Sequence, residues 1–144
     1  MTKTLNRRYR FAPVFMLAGA LTLASTVTHS QEAIGSATAV KPQAQGTHEG
    51  NTESLAGGSA VYSKETIHTG DAGVADLQFH DDSKLSVGPK AEILLDKFVY
   101  DPNKSTGTAA VEVARGSFRL VTGSQSKGVI YQIKTPFGTL GVRG

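Results

Sequence analysis

The side chains whose types could hold a metal are the histidines His29, His48, His68 and His80 and the aspartates Asp71, Asp76, Asp81 and Asp82. Hard cations want such oxygens, but their spacing matches no defined calcium loop. Acids at turns are ordinary solvated turn formers. His29 lies in the leader, His48 in a loop, and His68 and His80 on different strands, each one step from a turn. No metal site is expected. Ser124-Gln-Ser-Lys127 matches the S-x-x-K string of penicillin-recognising serine enzymes. That chemistry needs the Ser at a helix start, whereas this tetrad lies between Gly123 and Gly128 in an expected hairpin tip. Neither S-D-N nor K-T-G follows, and G-x-S-x-G, H-E-x-x-H, P-loop and G-x-G-x-x-G are absent. The chain has no Cys, which removes thiol nucleophiles, Cys-ligated zinc and disulfides. Asn103-Lys-Ser105 is a glycosylation sequon that matters only in a glycosylating host. The sequence supports neither an enzyme nor a cofactor.

The elements that must position these residues fit one small domain, because 144 residues hardly allow two. Formal charge is +3, but Lys3, Arg7, Arg8 and Arg10 fall in residues 1–30 with no acid beside them. That leaves 11 basic against 12 acidic residues in the remainder. A nucleic-acid partner needs a basic face on the folded part, so none is expected. Met1–Arg10 is a cationic head, Phe11–Ala24 an uncharged run, and Ser25–Ser30 a small and polar tail. This is the layout of a secretory signal peptide with cleavage near Ser30/Gln31. The apolar run falls short of the ~20 residues of a spanning helix, and nothing later is long enough. A periplasmic mature chain without a transmembrane helix is expected.

Residues 31–58 are rich in Gly, Ala, Ser, Thr and Gln and read as a weakly ordered lead-in, with one lean strand around Ile34 and Val40. From Ser59 the texture turns to short β-rich runs: Val61-Tyr62, Glu65–His68, Val74–Phe79, Lys84–Val87, Glu92–Tyr100, Ala109–Thr122, Val129–Lys134 and Phe137–Val142. Gly70 is expected to supply positive φ in the turn at 69–73, and Arg115-Gly116 marks a bulge or sharp bend. No window shows a capped 3.6-residue apolar stripe. The fold class is therefore all-β, a small sandwich, roll or solenoid of short and mostly antiparallel strands. The expected core is Ile67, Leu77, Phe79, Leu85, Leu95, Val111, Val113, Phe118, Leu120, Tyr131, Ile133 and Val142.

Three blocks in register carry a resemblance. ETIHTGDAGVADLQFHDDSKLSV at Glu65–Val87 has an I-x-T-G turn, here Ile67, Thr69 and Gly70, followed by a D-G-S-type hairpin with Asp82 in the Gly place before Ser83. VEVARGSFRL at Val111–Leu120 centres on Arg115-Gly116. IKTPFGTLGVRG at Ile133–Gly144 carries Thr135-Pro136 and Val142-Arg143-Gly144. Over residues 59–144 the chain resembles the FecR-like domain family, and LLDKFVYDP at Leu94–Pro102 is similar to stand-alone exported members. The chain stops at Gly144, inside the last signature, where the family continues, so an incomplete domain is expected. Asp82 can take positive φ at modest cost. Arg143 could bind carbonyls or a carboxylate through its planar fork, although packing and rim pairing are the commoner role.

The resemblance implies a periplasmic interaction or sensing module, in which regulatory members relay receptor occupancy to a sigma factor. Those members carry an anti-sigma segment and a membrane helix ahead of the domain. This chain has an export leader there, so its expected partner is another envelope protein, docked by strand addition. The alternative is a binding module for cell-wall glycan or a ferric chelate, which calls for aromatic platforms. Beyond the leader only Tyr62, Tyr100 and Tyr131 are available as tyrosine platforms, and they must share an exposed face to serve.

Overall fold

The computed structural model describes residues 31–144, so the leader, its cleavage position and His29 lie outside the described residues. Every element is a strand. In chain order they are β1 (Ala33–Val40), β2 (Ala44–His48), β3 (Asn51–Ser54), β4 (Ala60–Tyr62), β5 (Glu65–Thr69) and β6 (Ala75–Phe79). There follow β7 (Lys84–Val87), β8 (Glu92–Asp101), β9 (Thr106–Arg115), β10 (Phe118–Val121), β11 (Gly128–Thr135) and β12 (Gly138–Arg143). They form a sandwich of two sheets, ordered β10-β7-β6-β1-β4 and β12-β11-β9-β8-β5-β2-β3. All pairings are antiparallel except β9 with β11, which run parallel. No helix among the described residues is long and apolar enough to cross a membrane.

Alternation builds the core. From Ala75 to Val87 every second residue is buried, through the turn as well as the strands: Ala75, Leu77, Phe79, Asp81, Ser83, Leu85 and Val87. Period-two spacing puts all of these on one face of the pleat. Facing them from the larger sheet are Ile67, Ile93, Leu95, Val111, Val113 and Ile133. The expected core residues are all present, with Phe118, Leu120 and Val142 only partly buried at the margin.

Three expectations need correction. Residues 31–58 give β1, β2 and β3 rather than one lean strand. β1 lies between β4 and β6, and Gly35 sits so close to the Gln78 carbonyl that a Cβ there would overlap it. Small residues here permit backbone approach, a demand that leaves no apolar periodicity to read. Gly70 does not have positive φ; its missing side chain leaves room for that of Gln43. The segment 123–128 is no hairpin tip, because it carries the chain from β10 in one sheet to β11 in the other. Its Ser126 is fully buried, donating from both N and Oγ to the Gly123 carbonyl.

Asp82 takes φ of +64°, the left-handed conformation that a Gly would enter without a Cβ penalty. Its carboxylate accepts a 3.1 Å hydrogen bond from Ser124 Oγ, which offsets part of the strain. Asp82→Gly is expected to stabilise the domain slightly, by about 0.5 kcal/mol, because relieved strain exceeds the lost surface bond and the added unfolded-state entropy. Chemical denaturation measures it, and a lower midpoint for the Gly variant would contradict the strain assignment.

Candidate functional site

The motif residues divide into those that hold turns and those that face solvent. Ile67 is fully buried on β5. Thr69, two residues on, also points inward, and its hydroxyl joins the loop after β7 to the core. It donates to the Gly88 carbonyl at 2.6 Å and accepts from Ala91 N at 2.9 Å. Thr135 serves the β11–β12 turn in the same way, donating to Gly138 O and accepting from Phe137 N. Pro136 and Phe137 form that two-residue tip. Arg115 pairs with Glu92 at 3.2 Å on an exposed surface, an arrangement of small energetic weight. Gly144 donates from its backbone to Val129 O. Arg143 lies opposite Ile130 in the β11–β12 ladder and is exposed. Among the described residues no carboxylate lies within ion-pair distance of it, and it makes no side-chain hydrogen bond, so the fork has no such task here.

Asp81 and Ser83 are the larger surprise. Asp81 was expected as a solvated turn former, yet it is fully buried. Its Oδ1 accepts from Ser83 N at 3.0 Å, and its Oδ2 accepts from Ser83 Oγ at 2.9 Å and Tyr131 Oη at 2.5 Å. Ser83 Oγ also accepts from Gly123 N, extending the network to the loop between the sheets. Burial and the neighbouring Asp81 carboxylate raise the Tyr131 phenol well above its usual range, which keeps it a donor. This network joins the turn of the smaller sheet to the middle of β11 in the larger one. It is closed to solvent and therefore structural.

Two open features remain. At one end of the larger sheet, β12 has its outer edge unpaired among the described residues. Phe137 beside it is 99% exposed, and Leu140 is 54% exposed. Leu140 lies opposite Ile133, which places it on the inner face beyond the end of the core. At the other end, a cleft of about 500 Å³ opens between the β2–β3 hairpin and β4. Glu65, only 4% exposed, forms part of its floor, and Gly46 opposite leaves the space that the carboxylate occupies. Glu65 Oε2 accepts from Tyr62 N at 2.7 Å. His48 and Tyr62 set their rings 5.3 Å apart along the wall. From sequence, His48 was expected in a loop and Tyr62 only as a tyrosine platform, and Glu65 was given no role. Glu65 was legible, since it precedes Ile67 and Thr69 at the two-residue spacing of an inward face.

Loss of solvation on burial raises the Glu65 carboxyl above its ordinary value, more than the Tyr62 N–H and His48 lower it. The folded state then binds this proton more tightly than the unfolded state does. Stability falls as pH rises through the window above 4.5, and the favourable contribution is confined to lower pH. Glu65→Gln is expected to raise the melting temperature at neutral pH, with the gain shrinking toward acid. Equal melting curves at neutral pH would show that the carboxylate carries no desolvation penalty.

The tyrosines do not form one platform. Tyr131 is buried, Tyr62 lines the cleft by β4, and Tyr100 belongs to a separate cleft with Phe98 and His80. Among the described residues no three His, Asp or Glu side chains gather as a metal site. A family model described as FecR protein matches residues 65–144. No curated protein and no solved structure matches the chain.

Proposed function

The chain belongs to the FecR protein family, and from that premise we propose that it is a non-catalytic periplasmic module that docks another envelope protein as part of envelope signalling or sensing. The observation that carries the docking reading is the pair of exposed apolar side chains Phe137 and Leu140, beside a strand whose outer edge has no partner among the described residues. An unpaired strand offers a row of N–H and C=O groups to an incoming chain, and adjacent apolar side chains give that pairing its side-chain contacts. The opposite pattern, charge or proline along the edge, is the usual guard against such pairing. β12 carries no proline and a single charge, the exposed Arg143 at its end, so most of its length is unguarded. Export through the leader places the domain where a receptor or another envelope component meets it.

The dispersal of Tyr62, Tyr100 and Tyr131 speaks against stacking of glycan rings on a common tyrosine face. The test is a crosslinking pull-down from envelope extract with the exported protein and with Leu140→Lys. A defined envelope protein is expected with the wild type and is expected to be lost with Leu140→Lys, whose melting temperature stays unchanged because Leu140 is already exposed. Recovery of murein alone, or equal recovery with both proteins, would sink the strand-addition reading.

A further inference from the structure

The cleft between the β2–β3 hairpin and β4 lies apart from the β12 edge, and the docking reading does not use it. Its chemistry is one-sided. Glu49, Glu53 and Glu65 line it, His48 is its one basic side chain, and no Lys or Arg lines it. Glu65 is the group that sets it apart from an acidic surface. Its side chain is almost wholly buried, and only one of its two oxygens, Oε2, is engaged by a protein donor. The other oxygen, Oε1, has no protein donor and is not shut away from solvent, so it can accept from a donor held in the cleft. In the wall beside it, His48 Nε2 is buried and has no hydrogen-bond partner. The His48 and Tyr62 rings stand beside these acids at 5.3 Å from each other, giving an aromatic wall next to a carboxylate floor.

We infer that this cleft binds a primary alkylammonium group, with Glu65 as the buried counter-ion, Glu53 as a second carboxylate nearer the mouth, and the Tyr62 ring as an apolar and cation-attracting wall. An ammonium has three donors and no acceptor, which suits a floor that offers accepting groups. A charge-assisted bond to a desolvated carboxylate is stronger than its surface equivalent, and an aromatic face within about 6 Å adds to it. The volume, about 500 Å³, accommodates an aliphatic stem as well as its charged head. The raised proton affinity of Glu65 fits the same picture, because a cation in the cleft supplies the compensation that burial withholds.

The probe is cadaverine, titrated into the purified exported protein and followed by backbone amide NMR. Saturable shifts are expected at His48, Glu53, Tyr62 and Glu65, weakening as salt is added. Pentanol, of the same stem without the charge, is expected to give none. Glu65→Gln keeps an oxygen for Tyr62 N and so keeps the fold, visible as an unchanged spectrum elsewhere. It is expected to weaken cadaverine about tenfold, the scale of one charge-assisted hydrogen bond. Glu53→Gln is expected to weaken it less. A parallel titration with N-acetyl-lysine amide separates the sources. Binding equal to cadaverine assigns the site to a lysine side chain of a partner, and cadaverine alone assigns it to free diamines. Absence of saturation, equal binding by Glu65→Gln, or equal binding of pentanol overturns the assignment.

Discussion

Replacing Asp81 with Ala is expected to lower stability by about 4 kcal/mol, near the top of what one substitution does. The reason is the number of buried donors that depend on it. Ser83 N, Ser83 Oγ and Tyr131 Oη all donate to its two oxygens. Asp81 and Ser83 are fully buried, as is Tyr131, so water cannot replace the lost acceptor. An unsatisfied buried donor costs about 1–3 kcal/mol, and cutting one side chain orphans three of them. Domains of this kind are stable by only about 5–15 kcal/mol, so much of the margin would go. The melting temperature is expected to fall by about 15 °C or more. Tyr131→Phe should cost less, because Asp81 keeps both of its Ser83 donors. The double variant should then fall short of additivity, since the two residues share one bond. A change of only a few degrees for Asp81→Ala would show that the network contributes nothing net.

Gly116→Val is the second large effect, expected at about 3 kcal/mol or more. Two penalties coincide at this position. The backbone has φ of +94°, which a β-branched residue enters only with strain. A Cβ there would also overlap both the Cα and the Cβ of Ala91, itself 1% exposed. Because one of those atoms is backbone, a side-chain rotation cannot clear it. Gly116→Ala should therefore remain costly, whereas Gly141→Ala, with open space around its Cα and no positive φ, should lie within about 0.5 kcal/mol of wild type. Thermal melts of the three variants settle it: equal melting temperatures for the two Ala variants would refute the close contact with Ala91. The position matters to the topology because the bend there takes the chain from β9 in one sheet to β10 in the other.

The candidate sites were only partly legible. Alternation from Ala75 to Val87 continues through Asp81 and Ser83, so a strict reading of the two-residue period assigns both inward. An acid at a turn usually faces solvent, and that general preference points against the two-residue period here. Glu65 carries the same signal ahead of Ile67 and Thr69. His48 carries none, because its burial comes from Tyr62 and the hairpin around it rather than from its own neighbours in sequence.

By itself the sequence determined the strand-built class, the apolar core from Ile67 to Val142, the bend at Gly116 and the left-handed turn at Asp82. These are local properties: side-chain alternation sets the face, and backbone sterics set where the chain can turn. Tertiary structure alone decided what lies across the sandwich. Tyr131 meets Asp81 from 50 residues away, β9 and β11 run parallel while β10 joins the opposite sheet, and three strands come from a stretch of small residues. Pairing between distant strands depends on which surfaces fit together, and no period along one strand records the shape of its eventual neighbour.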